Sequence, residues 1–167
     1  FAGAATSAVF AGDLMVLFIF WEIATLAAAL LILRTGTDAA YKAALRFLGI
    51  QILGGIFLLE GVIFILKDYG DVSFRVLEIE GKGAWFLLLG IGVKAAFPVL
   101  HTWFQDTVSK ATVTGAITLS IFTTMLAVYT LLRVFPGADL LIAIGAVMAV
   151  FPLMIAVLVD DLRRVMA

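Results

Sequence analysis

The chain has 167 residues, of which 64% are hydrophobic and 14% charged, with a net charge of −1. A soluble domain is nearer half apolar, so this composition excludes one and predicts an integral membrane protein. The eleven Lys and Arg residues are scattered along the chain, which gives no basic stripe and predicts no nucleic-acid partner. The absence of Cys rules out disulfides and thiolate metal sites.

Apolar runs of membrane-crossing length divide the chain into helices. Residues 1–12 are too short to span and read as the last turns of a helix. A first full span covers 14–33, with Asp13 at its start as a cap or dipole partner and Gly36 placed to end it in positive φ. The next covers 43–66. Residues 67–83 are polar with turn glycines and alternate Val72, Phe74, Val76 and Ile79 with polar side chains, predicting a short extramembrane hairpin. Further spans follow at 84–108, 111–134 and 139–159, giving five full spans and one partial one in a single membrane domain. The chain begins without Met and stops just after Asp160-Asp-Leu-Arg-Arg, and it reads as part of a longer polypeptide.

The span over 84–108 carries its own interruption. Pro98 lacks an N–H and its ring clashes with the carbonyl four residues back, and Gly90 and Gly92 precede it, so this helix is expected to break near 98. Broken helices are tolerated in a bilayer where the freed backbone is buried in protein or lines a cavity.

Two charges lie in the middle of spans, where they are most costly: Glu22 and Lys94. A lone charge at the bilayer centre costs roughly 2.5–3.5 kcal/mol on insertion scales, so such groups face the protein interior, pair, and mark ion paths. Their matching depth and opposite sign predict a pair within ion-pair or water-bridged distance. Burial and a nearby carboxylate act on an amine in opposite senses, and balance between them makes a switchable base. His101, beyond the break, has the chemistry of a relay near neutral pH and equally that of a solvated interface residue. Arg46 and Gln51, on the 43–66 span, fit helix packing as well as a path. Gly54-Gly55 and Gly90-Ile-Gly92 read as close helix contacts.

Loop charges set a direction. Arg34, Lys42, Arg46, Lys110, Arg163 and Arg164 fall on one side and Lys67, Arg75, Lys82 and Arg133 on the other. Basic residues favour the inside, which puts the hairpin outside and the C-terminus inside.

Four motifs occur in order: Trp21-Glu22; Val93-Lys94-Ala95-Ala96-Phe97-Pro98-Val99-Leu100-His101-Thr102-Trp103-Phe104-Gln105-Asp106; Val128-Tyr129-Thr130-Leu131-Leu132-Arg133; and Asp160-Asp161-Leu162-Arg163-Arg164. Together they resemble the antiporter-like subunits shared by respiratory complex I, the Mrp cation/proton antiporters and membrane-bound hydrogenases. The resemblance implies an all-α polytopic helix bundle with one discontinuous helix, most of one repeat of an inverted-repeat antiporter fold. By the motif positions, the partial span is that family's fourth helix and the last span its ninth. It also implies that Glu22 and Lys94 form the central pair of a proton half-channel, with Pro98 breaking the lysine's helix.

Departures from that pattern matter for the path. Family members commonly carry a lysine or histidine on the helix after the broken one, whereas alignment on Tyr129 puts Leu119 and Met125 there. Transfer away from Lys94 then falls to water, Thr123, Thr124, Thr118 and Ser120, or to nothing. The function expected is a proton-translocating subunit, with Na⁺ coupling as a variant, in a multisubunit complex of a bacterial or archaeal inner or plasma membrane. The expected partners are the lipid bilayer, other membrane subunits, H⁺ and Na⁺. No cofactor and no catalytic site of its own are expected, though the whole complex could be a proton-pumping oxidoreductase. The competing readings are a degenerate, non-conducting scaffold and a small-molecule transporter that binds its substrate at the broken helix.

Overall fold

The computed structural model describes residues 1–98 and 100–156, and these form helices joined by short turns. In chain order they are α1 (Ala2–Val9), α2 (Leu14–Leu33), α3 (Asp38–Tyr69), α4 (Gly81–Lys94), α5 (Thr102–Lys110), α6 (Val113–Val134) and α7 (Asp139–Ala156). α2, α3 and α6 are each long and apolar enough to cross a bilayer.

Local chemistry places the helix ends. Asp13 caps α2 by accepting from the Val16 amide at 2.7 Å. Thr37 caps α3 and Thr112 caps α6 in the same way, satisfying amides that have no partner within their own helix. Gly36 and Gly70 follow α2 and α3 at φ 70° and 78°, a conformation glycine adopts without steric cost. With its cap at Thr37 and its stop at Gly70, α3 outruns the expected 43–66 span by several residues at each end. The expected final residues 157–159 of the last span, and the Asp160–Arg164 cluster, lie outside the described residues.

The connection between α3 and α4 differs from the hairpin expected over 67–83. Among the described residues it pairs with no strand of its own, and its one bridge joins Ser73 to Asp13. Its backbone groups bond outward instead: Val72 accepts from the Leu14 amide at 2.9 Å and Leu77 donates to the Val134 carbonyl at 2.8 Å. Alternating apolar residues therefore lie across the ends of α2 and α6, as an exposed backbone must find partners somewhere. Arg133 fixes the same end, donating to the Ala11 carbonyl and the Tyr129 hydroxyl while its guanidinium stacks 3.5 Å from the Phe74 ring centroid.

Glycine sets the closest helix crossing, between α3 and α4. A Cβ on Gly90 would stand 2.5 Å from the Leu58 amide nitrogen, and one on Gly61 would stand 2.6 Å from that of Leu87. Only bare backbone permits that approach, which is how helices associate where no hydrophobic effect drives them together.

The buried side chains form two apolar clusters. One holds Trp21, Leu58, Leu87, Ile91, Ala95 and Leu126. The other holds Ala28, Phe47, Ala96, Trp103, Phe104 and Leu119. Between them, on α2, α3, α4 and α6, lie the buried polar residues Thr25, Gln51, Lys94 and Thr123, four of those in the interior. Thr25, Gln51 and Thr123 each sit along their helix between a member of one cluster and a member of the other, and Lys94 ends α4 at the same level, so the interior carries a thin polar layer.

Candidate functional site

Lys94 is the centre of that layer. Its side chain is fully buried, and its ammonium donates to Glu22 Oε1 at 2.8 Å and to Thr25 Oγ1 at 3.4 Å. The indole of Trp21 lies with its ring centroid 5.4 Å from the same nitrogen, within the range of a cation–π contact. Glu22 and Thr25 are three residues apart on α2, hence on one helix face. Glu22 is 26% exposed against 0% for Lys94, so the acid reaches the edge of the bundle while the base is sealed inside it. Gly55 on α3 makes room for the carboxylate, since a Cβ there would fall 2.7 Å from Glu22 Oε1.

The helix stops at the lysine. α4 ends with Lys94, and the Lys94 carbonyl would next bond residue 98, which is a proline without an N–H. The chain closes the end with two bonds, Ala96 N–H to Val93 O at 3.2 Å and Phe97 N–H to Gly92 O at 3.0 Å. These are the two bonds of a Schellman cap, a motif whose left-handed residue is usually glycine. Here that residue is Ala96 at φ 57°, a conformation costing an L-residue roughly 1–2 kcal/mol. The Phe97 ring fills the space a side chain at position 92 would need: a Cβ on Gly92 would stand 2.6 Å from it. Trp103 Nε1 adds a bond to the Val93 carbonyl at 3.2 Å, tying α5 across the break.

The other candidates fall in different places. His101 precedes α5, packs edge-on against Phe151 at 5.3 Å, and lines a largely apolar cleft with Gln105, Ser120 and Thr124. Thr124 also bonds back to the Ser120 carbonyl at 3.0 Å. Arg46 pairs with Asp106 on α5 at 2.7 Å, with 64% of its side chain exposed, so it binds the second half of the broken helix to α3 rather than entering the polar layer. Thr123 is buried in that layer. Gln51 is there too, its amide nitrogen without a hydrogen-bond partner among the described residues. Leu119 is buried in apolar surroundings and Met125 is 64% exposed. Thr25 escaped the reading of the sequence, although its position three residues after Glu22 was a usable signal.

Residues 11–167 match the family model described as NADH:quinone oxidoreductase/Mrp antiporter, TM. NAD(P)H-quinone oxidoreductase chain 4 1 of Picosynechococcus sp. is 30% identical over 93% of this chain and 32% of its own length. A chain of the membrane-bound sulfane sulfur reductase, an archaeal respiratory membrane complex, superposes with a TM-score of 0.87 at 24% identity, over 98% of this chain and 37% of that one. A chain of the Mrp complex from Dietzia sp. DQ12-45-1b gives 0.87 at 21% identity, over 98% and 34%. This chain spans about a third of the length of the curated relatives it matches. The fold is that of the antiporter-like subunits, and the chain belongs to the NADH:quinone oxidoreductase/Mrp antiporter membrane family.

Proposed function

We propose that this chain is the proton-translocating part of an antiporter-like subunit in a multisubunit complex of a bacterial or archaeal inner or plasma membrane, with Glu22 and Lys94 as its acid–base pair. The observation that carries the reading is the pair itself: an ammonium with no exposed surface, held at 2.8 Å by a carboxylate that reaches the edge of the bundle. A buried ion pair is weak evidence of stabilisation, because desolvation offsets most of the attraction. Its presence inside an apolar helix bundle is better understood as function. Glu22 takes up a proton from the accessible side, the ammonium loses the charge that held it, and Lys94 releases its own proton onward. The Schellman cap sets Lys94 at the end of a fixed helix, next to backbone irregular enough to admit water. Na⁺ is the candidate coupling ion, and other membrane subunits are the partners.

The test is flux in vesicles containing the assembled complex, measured for H⁺ and Na⁺ on preparations checked for assembly. Lys94→Met should abolish proton flux. Glu22→Gln should impair it severely, by removing the charge that favours the ammonium. Full flux in assembled Lys94→Met complexes would reject the conducting role. One observation favours a second reading, a non-conducting scaffold: Leu119 and Met125 stand on α6 where relatives are expected to carry a basic residue, and neither exchanges protons. That reading requires both variants to assemble with unchanged, negligible flux.

A further inference from the structure

The threonines of α6 do not all treat their hydroxyls alike. Thr118, Thr124 and Thr130 donate to the carbonyls of Thr114, Ser120 and Leu126, one turn back, at 2.7, 3.0 and 2.8 Å. A hydroxyl bonded in this way is satisfied by its own helix. Thr123 makes no such bond: it is 8% exposed, and its hydroxyl has no hydrogen-bond partner among the described residues.

Thr123 also lines a small cavity among α1, α2, α3 and α6, together with Trp21, Thr25, Phe47, Phe122 and Leu126. Thr25 is the second polar group there. Its oxygen accepts from Lys94, which leaves its hydrogen free to donate. The cavity offers a water about 10 Å³, at the lower end of the roughly 10–15 Å³ that holds one, and a buried water needs at least two polar partners. Two hydroxyls supply them. A cation fits poorly, because the Lys94 ammonium stands one hydroxyl away and the rest of the wall is apolar.

We infer that a single water is held between Thr25 and Thr123 and carries the proton that leaves Lys94. The inference rests on the proposed role of Lys94 as the switching base. The balance is simple: Lys94 Nζ gives one proton to Thr25 Oγ1, Thr25 gives its own to the water, and the resulting hydronium donates a hydrogen bond to Thr123 Oγ1. Thr25 gains one proton and loses one, the ammonium becomes an amine, and the positive charge passes to the water that Thr123 helps to hold. The hydroxyl of Thr123 thus occupies the step for which the helix carries no basic side chain. The cleft of His101, Ser120 and Thr124 shares no lining residue with this cavity, so the route runs on the α2 side of the break.

The experiment uses the assembled complex carrying the full chain. Thr123→Val keeps the shape and removes the hydroxyl, and it should lower proton flux roughly a hundredfold, the low end of what one positioned proton transfer contributes. Thr123→Ser should restore most of the flux. Thr130→Val, on the same helix but bonded to its own backbone, should leave flux unchanged. A structure of the wild-type complex at a resolution that shows waters should place one within hydrogen-bond distance of both hydroxyls. Wild-type flux in Thr123→Val, with Lys94→Met inactive, would overturn the water route and leave the role of Lys94 standing. Wild-type flux in Lys94→Met would overturn both. If Thr123→Val fails to assemble, the map decides, and an empty cavity there sinks the inference.

Discussion

α4 and α5 are two halves of one interrupted helix, and they are held by different means. α4 is locked to α3 by backbone: the Gly90 and Leu58 main chains meet so closely that a single added carbon has nowhere to go. α5 is held by side chains: the Arg46–Asp106 pair, the Phe47–Trp103 contact at 5.5 Å and the Trp103 indole on the Val93 carbonyl. Lys94 ends the locked half. A site that must hold an ammonium 2.8 Å from its carboxylate gains from standing on the more rigid element, because proton transfer is sensitive to placement. The side-chain-held half instead tolerates irregular backbone and supplies the closure of the break.

The comparison breaks most sharply at Gly90. Gly90→Ala drives a Cβ to 2.5 Å from the Leu58 nitrogen and 2.8 Å from its Cα, and backbone atoms cannot swing aside as a side-chain tip can. The cost should reach or exceed the roughly 1–3 kcal/mol of ordinary overpacking. Loss of assembled complex, or a markedly lowered melting temperature in detergent, is the expected result. An unchanged melting temperature would show that α4 is not locked by this crossing.

Ala96 probes the join between the halves, with a smaller effect of the opposite sign. Ala96→Gly relieves the roughly 1–2 kcal/mol that the left-handed conformation costs an L-residue. It returns about 0.4–1 kcal/mol through the freer unfolded chain. The net should be a stabilisation of about 0–1.6 kcal/mol, read as a small rise in melting temperature with flux unaffected. A clear loss of stability would mean that the Ala96 methyl packs against the Trp103 and Phe104 cluster more strongly than its backbone is strained.

Much of this was legible in the sequence because the signals are local. Asp13 before an apolar run, Gly36 after one, and Pro98 four residues beyond Lys94 each act on their own turn of helix, and a mid-span Glu22 and Lys94 have few ways to avoid each other. What stayed hidden depends on long-range packing. Alanine has no preference that marks Ala96 as the left-handed residue of the cap. The alternation of 70–80 resembles a hairpin, and only the exposed ends of α2 and α6 turn it into a strap. Arg46 is one of several basic residues near a helix end until Asp106 is brought opposite it by the break. Thr123 is no different in sequence from Thr124, and it is the cavity beside it that separates them.

The smallest effect is expected at Arg46 of α3, whose ion pair with Asp106 is one tie to the side-chain-held half. The Arg46–Asp106 pair is short, at 2.7 Å, yet 64% of the arginine side chain is exposed. Exposed pairs contribute about 0.2–1 kcal/mol because solvent screens them and two long side chains must be ordered. Phe47, Trp103 and Phe104 pack beneath the pair in one buried cluster, so α5 keeps its seat without it. Arg46→Ala should therefore shift the melting temperature slightly and leave flux near wild type, with any difference shrinking as salt is raised. A large loss of flux with normal assembly would place Arg46 in the proton path and make the second half of the helix as exacting as the first.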